Sequence, residues 1–304
     1  MQLIKPDINL DFVGKRKVAF IISLVVIAVG MASLLFNGGP NYGIDFAGGT
    51  LVQVKFEQPT DAAAIKKAMV GLDVGTPVVQ SFGDDQNEFL IRVEQASGEL
   101  QGLSVEIKTA LEQTYAKGDV DIRRVEMVGP QVGKDLRNKG VKALFYAMLG
   151  LLAYISWRFE FRFAVGAIIA LVHDVLITLG AFSVFGKEID LPIIAAFLAI
   201  IGYSLNDTII VYDRIRENSG KHHKESFDFI VNRSINETLS RTLLTSGTTL
   251  LVVMALFVLG GGVIHNFAFA MMIGVLVGTY SSIFVASPVL IFWQDRAAKD
   301  KTKG

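Results

Sequence analysis

From Val18 to Phe36 the chain runs for 19 residues without one charged side chain. At about 1.5 Å of rise per helical residue, roughly 20 apolar residues cross a hydrocarbon layer of about 30 Å. Within such a layer a helix satisfies all its own backbone N–H and C=O groups. The run therefore reads as a transmembrane helix. Five more follow: Val141 to Trp157, Phe163 to Phe185, Leu191 to Tyr212, Leu243 to Val263 and Phe267 to Trp293, broken only by isolated polar residues. Hydrophobic residues make up 51% of the chain and charged ones 19%, so the two kinds are segregated along it, which excludes a soluble globular enzyme. The first run exceeds the roughly 7 to 15 apolar residues of a secretory signal and is followed by no clear small-x-small cleavage site, so it reads as a retained anchor.

Net charge is zero, which favours neither a nucleic acid nor an acidic partner, and only the distribution of charge informs. Lys5, Lys15, Arg16 and Lys17 precede the first span, and Arg158 and Arg162 join the second to the third. Arg214, Arg216, Lys221, Lys224, Arg233 and Arg241 lie between the fourth and fifth, and Arg296, Lys299, Lys301 and Lys303 follow the sixth. The opposite short connections hold only Lys187. Positive-inside bias then predicts both termini on the cytoplasmic side; Lys139 and Lys142 dissent, but they end a long translocated domain, where the bias weakens. There is no cysteine, so the outer domain is not a disulfide scaffold, and its size does not call for one.

The predicted organisation is a cytoplasmic segment (1–17), the first span (18–36), a periplasmic α+β domain (37–140), five further spans (141–293) enclosing a cytoplasmic helical loop (213–242), and a cytoplasmic tail (294–304). Within the domain, Thr50 to Glu57 alternates as a strand, and Asp61 to Leu72 repeats apolar residues at helical spacing. Pro77 to Phe82 and Glu88 to Glu94 read as strands around a turn at Asp84 and Asp85. Glu99 to Tyr115 carries a helical stripe, and Val120 to Val128 is the last strand. The order βαββαβ is that of a ferredoxin-like split unit. The fold class is thus membrane α-helical, six spans with one ferredoxin-like domain.

Ionisable groups within a span cost about 2.5–3.5 kcal/mol on insertion scales, so they mark pathways, proton relays or internal ion pairs. Three places qualify: His173 and Asp174 in LVHDVLIT; Asp207 in GYSLNDTIIVYD, beside Ser204, Asn206 and Thr208; and Arg241 in SRTLLTSGTTL, ahead of Thr242 and Thr245. A carboxylate in low dielectric resists ionisation and a neighbouring arginine restores it, so an aspartate that moves relative to an arginine can load and release a proton. The alternative is a static polar contact pinning helices together. Gly202, Gly274 and Gly278 are expected at close helix contacts, and Pro192 and Pro288 at span ends.

Other patterns carry less. Gly43 to Thr50, GIDFAGGT, lacks the lysine of a phosphate loop, where Gly49 stands instead. His222 and His223 are adjacent and lack partners of metal-binding spacing, so no metal is expected. The mixed charges from Asp213 to Arg241 suit a helical loop better than a nucleic-acid surface. No nucleophilic constellation can be assembled, so no enzyme and no catalytic residue is expected.

GIDFAGGT after the first span, GPQVGKDL before the second, HDVLIT in the third, GYSLNDTIIVYDRIREN in the fourth and SRTLLTSGTTL opening the fifth closely resemble the SecF family of protein-export membrane subunits. The resemblance covers nearly the whole chain and departs at none of these motifs. It implies the resistance-nodulation-division superfamily in the bacterial inner membrane, with SecD as a second six-helix half and the SecYEG translocon and an unfolded secretory polypeptide as partners. It also implies protons as the coupling ion, no other cofactor, and use of the proton motive force. By the same resemblance Asp207 and Arg241 occupy proton-pathway positions, and Gly43, Asp45, Gly48 and Gly49 form the family motif at the domain's entry. Apart from lipid and these proteins no partner is implied. Two rival readings are a superfamily half exporting a small molecule or lipid, against which the modest outer domain argues, and a non-transporting scaffold whose polar residues are interhelical glue.

Overall fold

The computed structural model describes residues 9–72, 74–75, 77–82, 87–93, 100–115 and 118–301. The turn expected at Asp84 and Asp85, and the basic residues Lys5 and Lys303, lie outside them. Helix α1 (Arg16–Phe36) leads through a short turn of helix, α2 (Ile44–Ala47), into the α+β domain. The domain comprises β1 (Gly49–Phe56), α3 (Ala62–Ala68), β2 (Val78–Ser81), β3 (Glu88–Val93), α4 (Leu100–Thr114) and β4 (Val120–Val128). Helices α5 (Pro130–Arg158), α6 (Phe161–Val184), α7 (Leu191–Lys221), α8 (Phe227–Leu259) and α9 (Gly261–Ser281) follow; α9 runs through a π-turn (Ser282–Ala286) into α10 (Ser287–Lys301). Among the described residues six helical stretches are long and apolar enough to cross a membrane.

The helices outrun the apolar runs that announce them. α5 begins at Pro130 rather than Val141, with Pro130 in its first turn, where a missing N–H costs nothing. The helical loop expected at 213–242 consists of the extended ends of α7 and α8 with only a short turn between them. These ends are laced by pairs one turn apart: Arg216–Asp213 at 3.0 Å, Arg214–Glu217 at 3.0 Å and Arg233–Glu237 at 2.8 Å. Hydropathy stops at the membrane surface, but such pairs carry the helix on into water. Ser226 caps α8 by accepting from the Phe229 N–H at 3.3 Å.

α6, α7 and the α9–α10 stretch form the centre of the bundle, while α1, α5 and α8 expose many apolar side chains such as Phe20, Tyr146 and Leu251. Glycine sets two close crossings. A Cβ on Gly30 of α1 would lie 2.7 Å from the Gly180 Cα of α6, and one on Gly274 of α9 would lie 2.3 Å from Ile200 of α7. Gly278 meets Ser204 in the same way, at 2.9 Å. Gly202, expected at such a contact, makes none: a Cβ there meets nothing within 4 Å, because its face of α7 points out of the bundle.

In the domain the sheet runs in the order β2-β3-β1-β4, all antiparallel, the arrangement that a split βαβ unit produces. Alternation along β1 and β3 sends Val52, Val54, Phe56, Phe89, Ile91 and Val93 to one face, where Ile65 of α3 and Ile107 and Leu111 of α4 cover them. Asp61 caps α3 by accepting from the Ala64 N–H at 2.7 Å. α2 has no counterpart in the sequence expectation, its apolar residues being too few for periodicity to show.

This turn mounts the domain on the bundle. Gly48 adopts φ +79°, and a Cβ there would come within 2.8 Å of the Pro130 Cα, so the motif requires glycine at the point where α2 meets α5. Asp45 accepts from the Leu191 N–H at 2.9 Å, holding the first turn of α7. The α6–α7 connection pairs with the same segment: Gly43 N–H donates to the Ile189 carbonyl at 2.9 Å, and Ile189 N–H to the Asn41 carbonyl at 2.7 Å. Arg92 of β3 bridges both, ion-paired to Glu188 at 3.0 Å and donating to the Tyr42 carbonyl.

Candidate functional site

Two carboxylates lie fully buried in the bundle, and their surroundings differ. Asp207, on the inward face of α7, has one oxygen that accepts from the Ser246 hydroxyl of α8 at 3.2 Å. Ser246 in turn accepts from Thr279 of α9 at 2.7 Å. The other Asp207 oxygen has no hydrogen-bond partner, and neither has the buried hydroxyl of Thr242, one turn before Ser246 on α8. A buried oxygen left open in this way costs about 1–3 kcal/mol. Arg241, next to Thr242, is exposed yet near enough for its charge to act on Asp207. Among the described residues no ion pair joins the two.

Asp174 of α6 is saturated by contrast. One oxygen accepts from Ser204 at 2.6 Å and from Ser281 at 2.8 Å, and the other meets His173 Nδ1 at 2.9 Å. His173 Nε2 reaches Ser23 of α1 at 3.0 Å, and Ser23 reaches the Tyr280 hydroxyl at 3.1 Å. This network ties four helices together. One carboxylate thus keeps an acceptor oxygen without a partner, and the other has both oxygens engaged.

Placement of the remaining expected residues follows from helix faces. Ser204 serves Asp174 rather than its helix neighbour Asp207, being three residues away and turned toward α6. Thr208 bonds Ser282 at 2.9 Å. Asn206 points out of the bundle, on the same side as Gly202, and the Thr245 carbonyl accepts from Thr248 and Thr249. Ser23, Thr279, Tyr280 and Ser281 were not among the expected site residues. The signal available for three of them was the hydroxyl run Thr279 to Ser282 inside an otherwise apolar span.

That run enters the π-turn. Pro288 has no N–H to give the carbonyl four residues back, and its ring would crowd an ordinary turn there; the wider π winding relieves both. Tyr212 donates to the Ala286 carbonyl at 3.1 Å, and Ser287 Oγ to the Ser282 carbonyl at 2.9 Å. Gly166 leaves the room, since a Cβ there would stand 2.4 Å from the Tyr212 hydroxyl.

A third acidic group sits where the domain joins the bundle. Asp190 caps α7, accepting from the Ile193 N–H at 3.2 Å. Burial, with a further push from the negative charges of Asp45 and Glu188, lifts its carboxyl from the usual 3.8 to about 6. Glu188 is also raised by burial, against the opposing pull of Arg92 and Gln80.

Residues 106–296 match the family model "Protein export membrane protein SecD/SecF, C-terminal", and residues 33–60, which contain the domain mount, match "SecD/SecF GG Motif". A protein translocase subunit SecF from Magnetococcus marinus is 52% identical over 96% of this chain and 94% of its own. That of Vibrio alginolyticus is 45% identical over 95% and 91%. The crystal structure of SecDF, a translocon-associated membrane protein from Thermus thermophilus, superposes with a TM-score of 0.86 at 35% identity, covering 96% of this chain. The chain spans 40% of that longer SecDF chain. With both family models matched and SecF relatives alike over nearly their full length, the chain belongs to the SecD/SecF family of protein-export membrane proteins, among its SecF subunits.

Proposed function

We propose that this multi-pass protein is the SecF half of a SecDF complex in the bacterial inner membrane, using the proton motive force to promote translocation of unfolded chains through SecYEG. The observation that carries the reading is the unpartnered oxygen of Asp207, buried between α7 and α8 beside the unpartnered Thr242 and within the field of Arg241. Protonation there neutralises the buried charge and lets the carboxyl donate, which favours one packing of α7 on α8; loss of the proton to water leaves an anion that the Arg241 charge attracts, which favours another. Gly202 and Asn206 on the outward face of α7, and Arg241 on α8, give polar and small surfaces that lipid would leave unsatisfied, and a SecD half docked there would complete the site.

Motion of α7 reaches the outer domain directly, because Asp45 of the glycine motif holds the first turn of α7. The domain then moves with the bundle and contacts the emerging polypeptide. Both termini lie in the cytoplasm, by the charge bias of the connections. The test is proton flux and protein translocation in vesicles containing the chain together with SecD and SecYEG. Asp207→Asn is expected to abolish proton flux and the stimulation of translocation; unchanged values for both would remove the coupling role.

A further inference from the structure

Around Asp174 the hydrogen positions follow from counting donors. Tyr280 gives its single hydroxyl proton to the Ala19 carbonyl at 2.7 Å, and a carbonyl can only accept. The Tyr280 oxygen, 3.1 Å from Ser23 Oγ, therefore accepts from Ser23. With its own proton committed, Ser23 accepts across the 3.0 Å contact to His173, so Nε2 carries a hydrogen. At the other ring nitrogen, Nδ1 faces Asp174 Oδ1 at 2.9 Å. A neutral ring with hydrogen on Nε2 presents a lone pair at Nδ1, and a carboxylate presents only lone pairs. Both side chains are nearly sealed, 6% and 1% exposed, so neither can turn to water. One proton must lie between them. Asp174 Oδ2 cannot relieve the contact, because it already faces Ser204 and Ser281.

We propose that His173 and Asp174 jointly hold one resident proton, kept throughout the working cycle, which fastens α1 to α6, α7 and α9, while the exchanged proton belongs to Asp207. The last clause rests on the function proposed above; the resident proton stands on the donor count alone. Whether the proton sits on Oδ1 or on Nδ1, the pair carries no net charge, as suits a site enclosed by apolar helices. Facing it are Ser23 from α1, Ser204 from α7, and Tyr280 and Ser281 from α9. Of these only Tyr280 is titratable, and its hydrogen is tied to a backbone oxygen that has nothing to pass on. The chain is a dead end: it stores a proton and offers no route for conducting one. Removing that proton would set a lone pair against an anion within α6 and turn the His173 ring from Asp174, disturbing its contact with Ser23 of α1.

The experiment is nitrogen-15 magnetic resonance of histidine-labelled full chain, reconstituted with SecD in lipid vesicles. The chain has 4 histidines, so His173 is assigned by difference from His173→Gln. Expected are a protonated Nε2 and a proton-bearing or proton-sharing Nδ1. In Asp174→Asn the carboxamide donates to Nδ1 while its oxygen accepts from Ser204 and Ser281; the shared-proton signal should be lost, with proton flux retained. A bare Nδ1 at His173 in the unsubstituted chain overturns the proposal. Loss of flux in Asp174→Asn equal to that in Asp207→Asn overturns the assignment of the exchanged proton to Asp207 alone. If Asp207→Asn keeps its flux, the proposed function fails, and the His173 signal still decides the resident proton.

Discussion

Replacing Asp190 by asparagine should stabilise the chain in alkaline solution and do little in acid. Asparagine caps a helix as well as aspartate does, so the bond to the Ile193 N–H survives the change. What disappears is a charge held in a buried place beside two other acids. The carboxyl stands at about 6 against an ordinary 3.8, with burial the main cause and Asp45 and Glu188 adding to it. A carboxyl raised in this way binds its proton more tightly in the folded state, so folding is favoured by acid. The advantage is full below 3.8, shrinks as the pH rises, and is gone above about 6. At 1.36 kcal/mol per unit, a displacement of roughly two units sets a ceiling of about 3 kcal/mol, and partial solvent access brings the expected gain to about 1–2 kcal/mol. For a chain of this size that corresponds to a rise in Tm of about 2–3 °C. Thermal unfolding followed by tryptophan fluorescence in detergent, at about pH 8 and about pH 5, measures it. An Asp190→Asn protein that melts no higher than the parent at the upper pH, or whose advantage is the same at both, would refute the reasoning.

Gly48→Ala should destabilise the domain mount by about 2–3 kcal/mol, combining a left-handed backbone with a Cβ driven onto Pro130, and limited proteolysis should cut sooner between β4 and α5. Arg92→Met strands Glu188 and the Tyr42 carbonyl in a half-buried place, an expected loss of about 2–3 kcal/mol read as a lower Tm, whereas Arg92→Lys should recover part of it. Gly166→Ala should cost about 2 kcal/mol by pressing on the Tyr212 hydroxyl, and Tyr212→Phe about 1 kcal/mol by releasing the Ala286 carbonyl. The double variant should lose less than the two losses added, because removing the hydroxyl removes the clash; a strictly additive result would place the strain elsewhere.

Much of the architecture was written in periodicity. Six apolar runs announced six spans, and alternation along Thr50 to Glu57 and Glu88 to Glu94 placed the right residues on the covered face of the sheet. The exact helix ends were less legible, because hydropathy stops where the charged tails of α7 and α8 begin, although their mixed charges already suited helix and include pairs one turn apart such as Arg233 with Glu237. At the buried acids, sequence distance misled. Ser204 is near Asp207 along the chain, but a step of three residues on α7 turns it to Asp174, whereas Ser246 reaches Asp207 from α8 and is backed by Thr279 of α9. A sequence lists donors without saying which acid each one faces, so a saturated carboxylate and an open one look alike. Gly202 shows the same limit, since a glycine suited to contact marks a contact only if some helix lies opposite.

The π-turn at Ser282–Ala286 has a consequence for the sixth crossing as a whole. It holds one residue more than regular winding would, and one residue is about 100° of rotation. Deleting a residue there would let the helix close normally, yet it would swing buried Leu290 round toward lipid while the hydroxyls of Thr279 and Ser281 kept their places. The crossing therefore behaves like a keyed shaft, its C-terminal end indexed separately from the half that serves the acids, and the Tyr212 hydroxyl is the pin that holds the index.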